Sequence, residues 1–188
     1  MEYYKVMIDI TGKNDIVCHF ENDYGIQQYE LNSGKEYNNW DNRFEFYYAK
    51  NEGDTVTDYL ANDKGWFLIS DKFKMLIESF NIKAQFFPVK IKEINTNKYL
   101  LDFYICNIIN VVDALCLEES DYFTINTKSK GVINSIKKFA VYKSKLLNVD
   151  MFKLGDGHNI PIFISQKFRD ELCSQNITGI ELLKIKSV

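Results

Sequence analysis

The chain has 188 residues, of which 46% are hydrophobic, 15% aromatic and 26% charged, with a formal net charge of −3. This composition excludes a disordered or collagen-like chain and suits one domain over residues 1–188, with a division into two lobes at about 1–95 and 96–188 as the open alternative. The small negative charge argues against a nucleic-acid partner, and no apolar run approaches the roughly 20 residues that cross a bilayer.

In chain order, Tyr4 to Ile10 reads as a strand, with Asp15 to Phe20 as its hairpin partner across the turn Thr11-Gly12-Lys13-Asn14. Residues 21–42 are polar and rich in Asn and Gly, which predicts loop. Arg43 to Tyr48 alternates like a strand, Asp54 to Leu60 reads as a short helix capped by Asp54, and Asn62-Asp63-Lys64-Gly65 is a turn. Trp66 to Ile69 is a short buried strand leading into a helix. Ser70 is its cap, Asp71 sits at the positive end of its dipole, and Phe73, Ile77 and Phe80 form one apolar stripe. Asn81 ends it. Phe86 to Ile91 follows as a strand, with Pro88 marking an edge or a bulge.

The longest apolar segment, Tyr99 to Leu115, predicts a central strand over Leu101 to Ile109, left by an acidic loop from Asp113 to Asp121. Tyr122 to Ile125 and Ala140 to Tyr142 are further strand candidates, and Ile180 to Ile185 closes the chain. Strands outnumber helices. The predicted class is α+β, a mixed or mainly antiparallel sheet with at least two packed helices.

One pattern repeats. Residues 67–82 and 162–177 align without a gap and share seven of sixteen positions, including Ser70 with Ser165, Phe73 with Phe168 and Asn81 with Asn176. The common order is apolar run, capping serine, amphipathic helix, turn. It raises the possibility of an internal strand–helix–strand duplication, although any such unit converges on similar residues.

Catalytic motifs are missing: there is no Gly-x-Ser-x-Gly, no phosphate-binding Gly-x-x-x-x-Gly-Lys-Ser/Thr, no His-Glu-x-x-His and no Cys-x-x-Cys. No catalytic, cofactor-binding or metal-binding residue is assigned, and no cofactor is expected. Cys18, Cys106, Cys116 and Cys173 are scattered and read as reduced thiols. Met1-Glu2-Tyr3-Tyr4-Lys5 does not resemble a secretory signal, which points to the cytoplasm. Cys18 and His19 are neighbours on a strand and should face opposite ways. Gly155-Asp156-Gly157-His158 could hold a metal or an anion, but a solvated turn is the more common use of such text. Glu118, Glu119 and Asp121 could meet a basic partner or simply mark an exposed loop. Trp40, alone in polar text, is either a loop anchor or an interface residue, and the anchor is preferred.

Several segments together resemble the bacterial immunity proteins of polymorphic-toxin systems, of the immunity-eleven type. They are Tyr3-Tyr4-Lys5, Trp66 to Phe73, Phe86 to Val89, Asn107 to Leu115, Ile162 to Ser165 and Asn176 to Ile180. One departure is Cys116, where a polar residue such as Asp is expected. The resemblance covers nearly the whole length. It implies a non-catalytic inhibitor whose partner is a cognate toxin domain encoded nearby, with no nucleic acid or membrane partner. Trp40, Glu118, Glu119 and Asp121 are its candidate interface residues. The alternatives are an enzyme working near Asp156 and His158, or a regulatory adaptor.

Overall fold

A computed structural model describes residues 1–127, 131–155 and 157–188. Along the described chain run fourteen strands and two α-helices. In order they are β1 (Tyr3–Ile8), β2 (Val17–Cys18), β3 (Glu45–Tyr48), β4 (Tyr59–Asn62), β5 (Leu68–Ser70), α1 (Asp71–Ser79), β6 (Ala84–Glu93) and β7 (Tyr99–Ile108). Then follow β8 (Val111–Val112), β9 (Asp121–Thr127), β10 (Gly131–Lys138), β11 (Ala140–Val141), β12 (Met151–Leu154), β13 (Ile162–Ser165), α2 (Gln166–Ser174) and β14 (Ile180–Ser187). This is an α+β chain with mixed sheets.

The helices start as their serines predict. The Ser70 hydroxyl accepts from the Phe73 amide at 3.3 Å, and the Ser165 hydroxyl accepts from the Phe168 amide at 3.2 Å. Each cap satisfies one N–H that the first helical turn leaves without a partner. Both helices give way to an asparagine in the left-handed region, Asn81 at φ +52° and Asn176 at φ +51°, a conformation its short polar side chain tolerates.

The strands form two six-stranded sheets, ordered β2-β4-β5-β7-β6-β3 and β8-β12-β13-β1-β14-β11, and a separate β9–β10 hairpin. Read in those directions, both sheets repeat one scheme: a parallel pair, three antiparallel pairs, a parallel pair. The registers match too. The row Leu68, Ile105, Phe87 in the first sheet corresponds to Phe163, Lys5, Leu183 in the second. The fourth strand differs in origin: β7 in the first sheet, the N-terminal β1 in the second. Each sheet curls until its outer strands meet, through a His19–Tyr47 bridge in one and a Leu115–Val141 bridge in the other.

Strand alternation sorts the side chains into three cores. Leu68, Phe46, Trp66 and Ile105 fill the first sheet, and Phe152, Phe163, Leu154 and Val141 the second. Ile69 and Ile164, one residue on from Leu68 and Phe163, turn the other way. With Phe73, Ile77, Phe168 and Leu172 from the helices they form a third core that joins the two sheets. Phe80 and Phe168 meet edge to face there at 4.8 Å. Burying each such aromatic stabilises the fold by roughly 1.5–3 kcal/mol.

Two expectations need correction. Tyr4 to Ile10 does not form a hairpin with Asp15 to Phe20: β1 lies between β13 and β14, and β2 pairs parallel to β4. The reason is that β1 is apolar on both faces, with Tyr3 in the core of the second sheet and Tyr4 and Val6 in the shared core, so it suits a central strand. Asp54 to Leu60 is not helical. The β-branched run Thr55-Val56-Thr57 disfavours a helix, and the chain is held extended by the Tyr59 amide donating to the Thr178 carbonyl at 3.1 Å. Tyr122 to Ile125 falls within β9 as expected, and its partner β10 lies outside the strands read from the sequence.

Pro88 lies in β6, which is an interior strand. Pairing with β3 begins only at Lys90, however, and the register towards β7 shifts between Val89 and Ile91, so the proline sits beside a bulge where no β3 donor is required.

Candidate partner-binding surface

The second sheet is left open where the first is covered. β11 pairs with β14 only at Ala140–Lys186 and Val141–Ser187. The residues before it, in β10, pair with β9 instead, so β10 and β14 part and leave a groove of 430 Å³, on the scale of a small-ligand site. Phe139, Leu183 and Ile185 supply its apolar lining, and Leu183 is 49% exposed.

Lysines surround this lining. Lys5, Lys137, Lys138, Lys184 and Lys186 line the groove, against Glu119 and Asp121. Lys184 pairs with Glu2 and Lys186 with Glu119. The Lys184 ammonium is the main cause holding the Glu2 carboxyl below the usual carboxylate range. Lys5, Lys137 and Lys138 have no carboxylate partner among the described residues. The Lys5 ammonium lies 5.7 Å from the Phe139 ring centre and that of Lys137 lies 5.3 Å from the Phe123 ring centre. The groove therefore carries net positive potential on a chain whose overall charge is −3.

The β9–β10 hairpin forms one wall. Tyr122, Phe123 and Ile125 are 40%, 46% and 42% exposed, a concentration of apolar surface on one strand. Within the described residues each hairpin strand pairs only with the other, so each keeps a free hydrogen-bonding edge. The alternating β-branched text Val132-Ile133-Asn134-Ser135-Ile136 was the sequence signal that could have revealed β10.

The acidic candidates lie at the base of this hairpin. Glu118 accepts from the Tyr142 hydroxyl at 3.0 Å and from the Cys116 thiol at 3.5 Å. With Glu119 paired to Lys186, two of the three carboxylates already have partners within the chain, while Asp121 opens β9 on the groove rim.

Trp40 anchors its loop. Its ring packs 5.1 Å from Phe87, 5.6 Å from Phe44 and 6.3 Å from Trp66. The loop leading to it is tied down by side-chain donors from both sheets. Lys64 donates to the Ile26 carbonyl at 3.0 Å, Trp66 to Gln28 at 3.0 Å, Lys153 to Asn32 at 2.8 Å and Asn107 to Lys35 at 2.8 Å. Gln85 then brackets Tyr37, accepting from its amide at 2.8 Å and donating to its carbonyl at 3.1 Å.

Cys18 and His19 diverge as strand neighbours should. Cys18 is fully buried, and burial pushes its thiol up to about 12. His19 turns outward, with Nδ1 2.9 Å from Asp63 and Nε2 3.0 Å from Glu52. Asp156 lies outside the described residues. His158 stands in a turn, its amide donating to the Gly155 carbonyl at 3.0 Å. Among the described residues no three His, Cys, Asp or Glu side chains are grouped to hold a metal ion. No described helix is long and apolar enough to cross a membrane.

Fold and surface define the class: an α+β chain of two closed sheets sharing a helix-filled core, with lysine and strand edge exposed at one end. Comparison with protein families narrows it. Residues 2–187 match the Immunity protein family (Imm11), and the chain belongs to that family. A search among curated proteins finds no match.

Proposed function

We propose that this chain is a toxin-neutralising immunity protein, which binds a cognate toxin domain encoded nearby and inhibits it without catalysis. The observation that carries this reading is family membership over residues 2–187. The described surface is consistent with it. Its groove is lined mainly by lysines and by Phe139, Leu183 and Ile185, a composition suited to holding a protein segment. Inhibition would follow from covering the toxin's active site or fixing it in an inactive form, at 1:1 stoichiometry. The cytoplasm is the expected place of work, since that is where a producing cell or its kin must meet the toxin.

We further propose that the chain is one folding unit, residues 1–188, whose two halves arose by duplication of a strand–helix–strand unit. The matched pairing schemes and the shared Ser, Phe and Asn positions support this, with β1 taking in the second sheet the place of β7 in the first.

Co-expression tests the function. Cells producing the toxin from the neighbouring gene should survive when this chain is co-produced, and the two proteins should co-elute as a 1:1 complex. Continued killing despite soluble, folded chain would remove the reading.

A further inference from the structure

The two sheets share a strand plan, and they differ in what covers one corner of it. In the first sheet, Phe87 faces Ile105 across β6 and β7, and Phe44 immediately precedes the Glu45–Lys90 pair. In the second, Leu183 faces Lys5, and Phe139 immediately precedes the Ala140–Lys186 pair. Phe44 and Phe139 therefore correspond, as do Phe87 and Leu183. Trp40 lies over the first pair, 5.6 Å from Phe44 and 5.1 Å from Phe87. Over the second pair lies the 430 Å³ groove, because the chain that could return to cover it is folded into the β9–β10 hairpin.

We infer that this groove receives an extended segment of the partner toxin carrying an aromatic side chain flanked by carboxylates. The inference rests on the toxin-neutralising reading and adds the contact surface and the chemistry of the segment it takes. The aromatic ring occupies over Phe139 and Leu183 the position Trp40 occupies over Phe44 and Phe87. Carboxylates are selected by Lys5, Lys137 and Lys138, which lack acidic partners among the described residues. The free edge of β10 supplies backbone donors and acceptors to a segment in extended form. The chain's own cover in the first sheet has this chemistry: Trp40 is followed by Asp41 and preceded, in the same loop, by Glu36.

The experiment uses the full chain and the toxin domain encoded beside its gene, in a survival assay and by titration calorimetry. Three variants are compared: Leu183→Asp, the double charge reversal K137E/K138E, and Met75→Asp on α1 as a control at a 62% exposed position. Each groove variant should weaken binding by about 30-fold or more, the loss expected of a central contact, and should reduce protection. Wild-type affinity should fall with added salt, and Met75→Asp should bind like the wild type. Folded groove variants that bind and protect like the wild type would overturn the groove while leaving the immunity reading standing. A wild-type chain that neither binds nor protects would overturn both. Should a groove variant fail to fold, hydrogen exchange on the wild-type complex decides: slowed exchange in β10 and Leu183 to Lys186 supports the inference, and unchanged exchange there overturns it.

Discussion

The Ser165 hydroxyl donates to the Asp150 carboxylate at 2.6 Å while its oxygen accepts from the Phe168 amide, so one side chain ties β12 to the start of α2. The first sheet repeats the device with Ser70 and Asp58, also at 2.6 Å. The two pairs differ in their support. Asp58 also accepts from the Thr178 amide at 2.9 Å and hydroxyl at 3.0 Å, whereas Ser165 is the side-chain donor to Asp150 among the described residues. Ser70→Ala should therefore cost about 1 kcal/mol, the usual loss of a cap. Ser165→Ala should cost about 2 kcal/mol or more, because it also leaves the Asp150 carboxylate without its partner. Urea denaturation of the two variants checks the order; equal losses would contradict it.

His19 sits where the first sheet closes on itself. Partial burial works against a charged ring, but the hydrogen bonds it donates to Asp63 and Glu52 outweigh it, and the imidazole pKa is raised. A folded state that holds its proton more tightly than the unfolded chain is stabilised below the unfolded value, about 6.5, and loses that stabilisation as pH rises through the folded value. His19→Gln should thus be less stable than the wild type at about pH 5.5, with the gap narrowing towards about pH 8.5. Thermal melts of both proteins across that range measure it, and a gap independent of pH would show that the two carboxylates do not stabilise the charged ring.

What the sequence made legible was local chemistry. Ser70, Ser165, Asn81 and Asn176 act through neighbours a few residues away, so their caps and stops follow from the text alone. The central strand expected over Leu101 to Ile109 corresponds to β7, Tyr99–Ile108, and was recognisable because the segment is long and apolar. The partners of β1 were not, since its pairing with β13 and β14 joins the two ends of the chain and no local turn encodes it. The candidate surface was still less legible. The acidic residues Glu118 and Glu119 stand out in the sequence, but each already meets a donor of its own chain. The lysines of the groove are dispersed from Lys5 to Lys186 and become one feature only when β1, β10 and β14 come together.

Trp40 gives a test of anchoring by shape alone. Its indole N–H is buried and has no hydrogen-bond partner among the described residues, so its contribution comes from ring contacts. Trp40→Ala should destabilise by about 2–4 kcal/mol through the cavity left against Phe44 and Phe87. Trp40→Phe should cost about 1 kcal/mol or less, because it keeps an aromatic ring and removes a desolvated donor. Chemical denaturation distinguishes the two, and a phenylalanine variant as unstable as the alanine one would show that the indole nitrogen has an essential partner.

Lys153 poses the opposite problem, a charge held where there is little water. It is 1% exposed, and its ammonium donates to the Asn32 carbonyl at 2.8 Å without a carboxylate nearby among the described residues. Burial lowers its pKa to about 8, against about 10.4 for a free lysine. Between those two values the unfolded chain binds more protons than the folded one, so the Lys153 contribution to stability rises with pH across that window. Lys153→Met keeps the buried volume nearly constant and removes the titration, while leaving the Asn32 carbonyl without its donor. Wild type should therefore gain stability relative to Lys153→Met as pH rises from about 8 to about 10, by urea denaturation at fixed temperature. The variant should also exchange backbone hydrogens faster around Asn32, since the lysine ties that loop to the second sheet. Parallel pH profiles for the two proteins would mean that Lys153 titrates as it does in the unfolded chain, and that the ammonium is solvated despite its place beneath the loop.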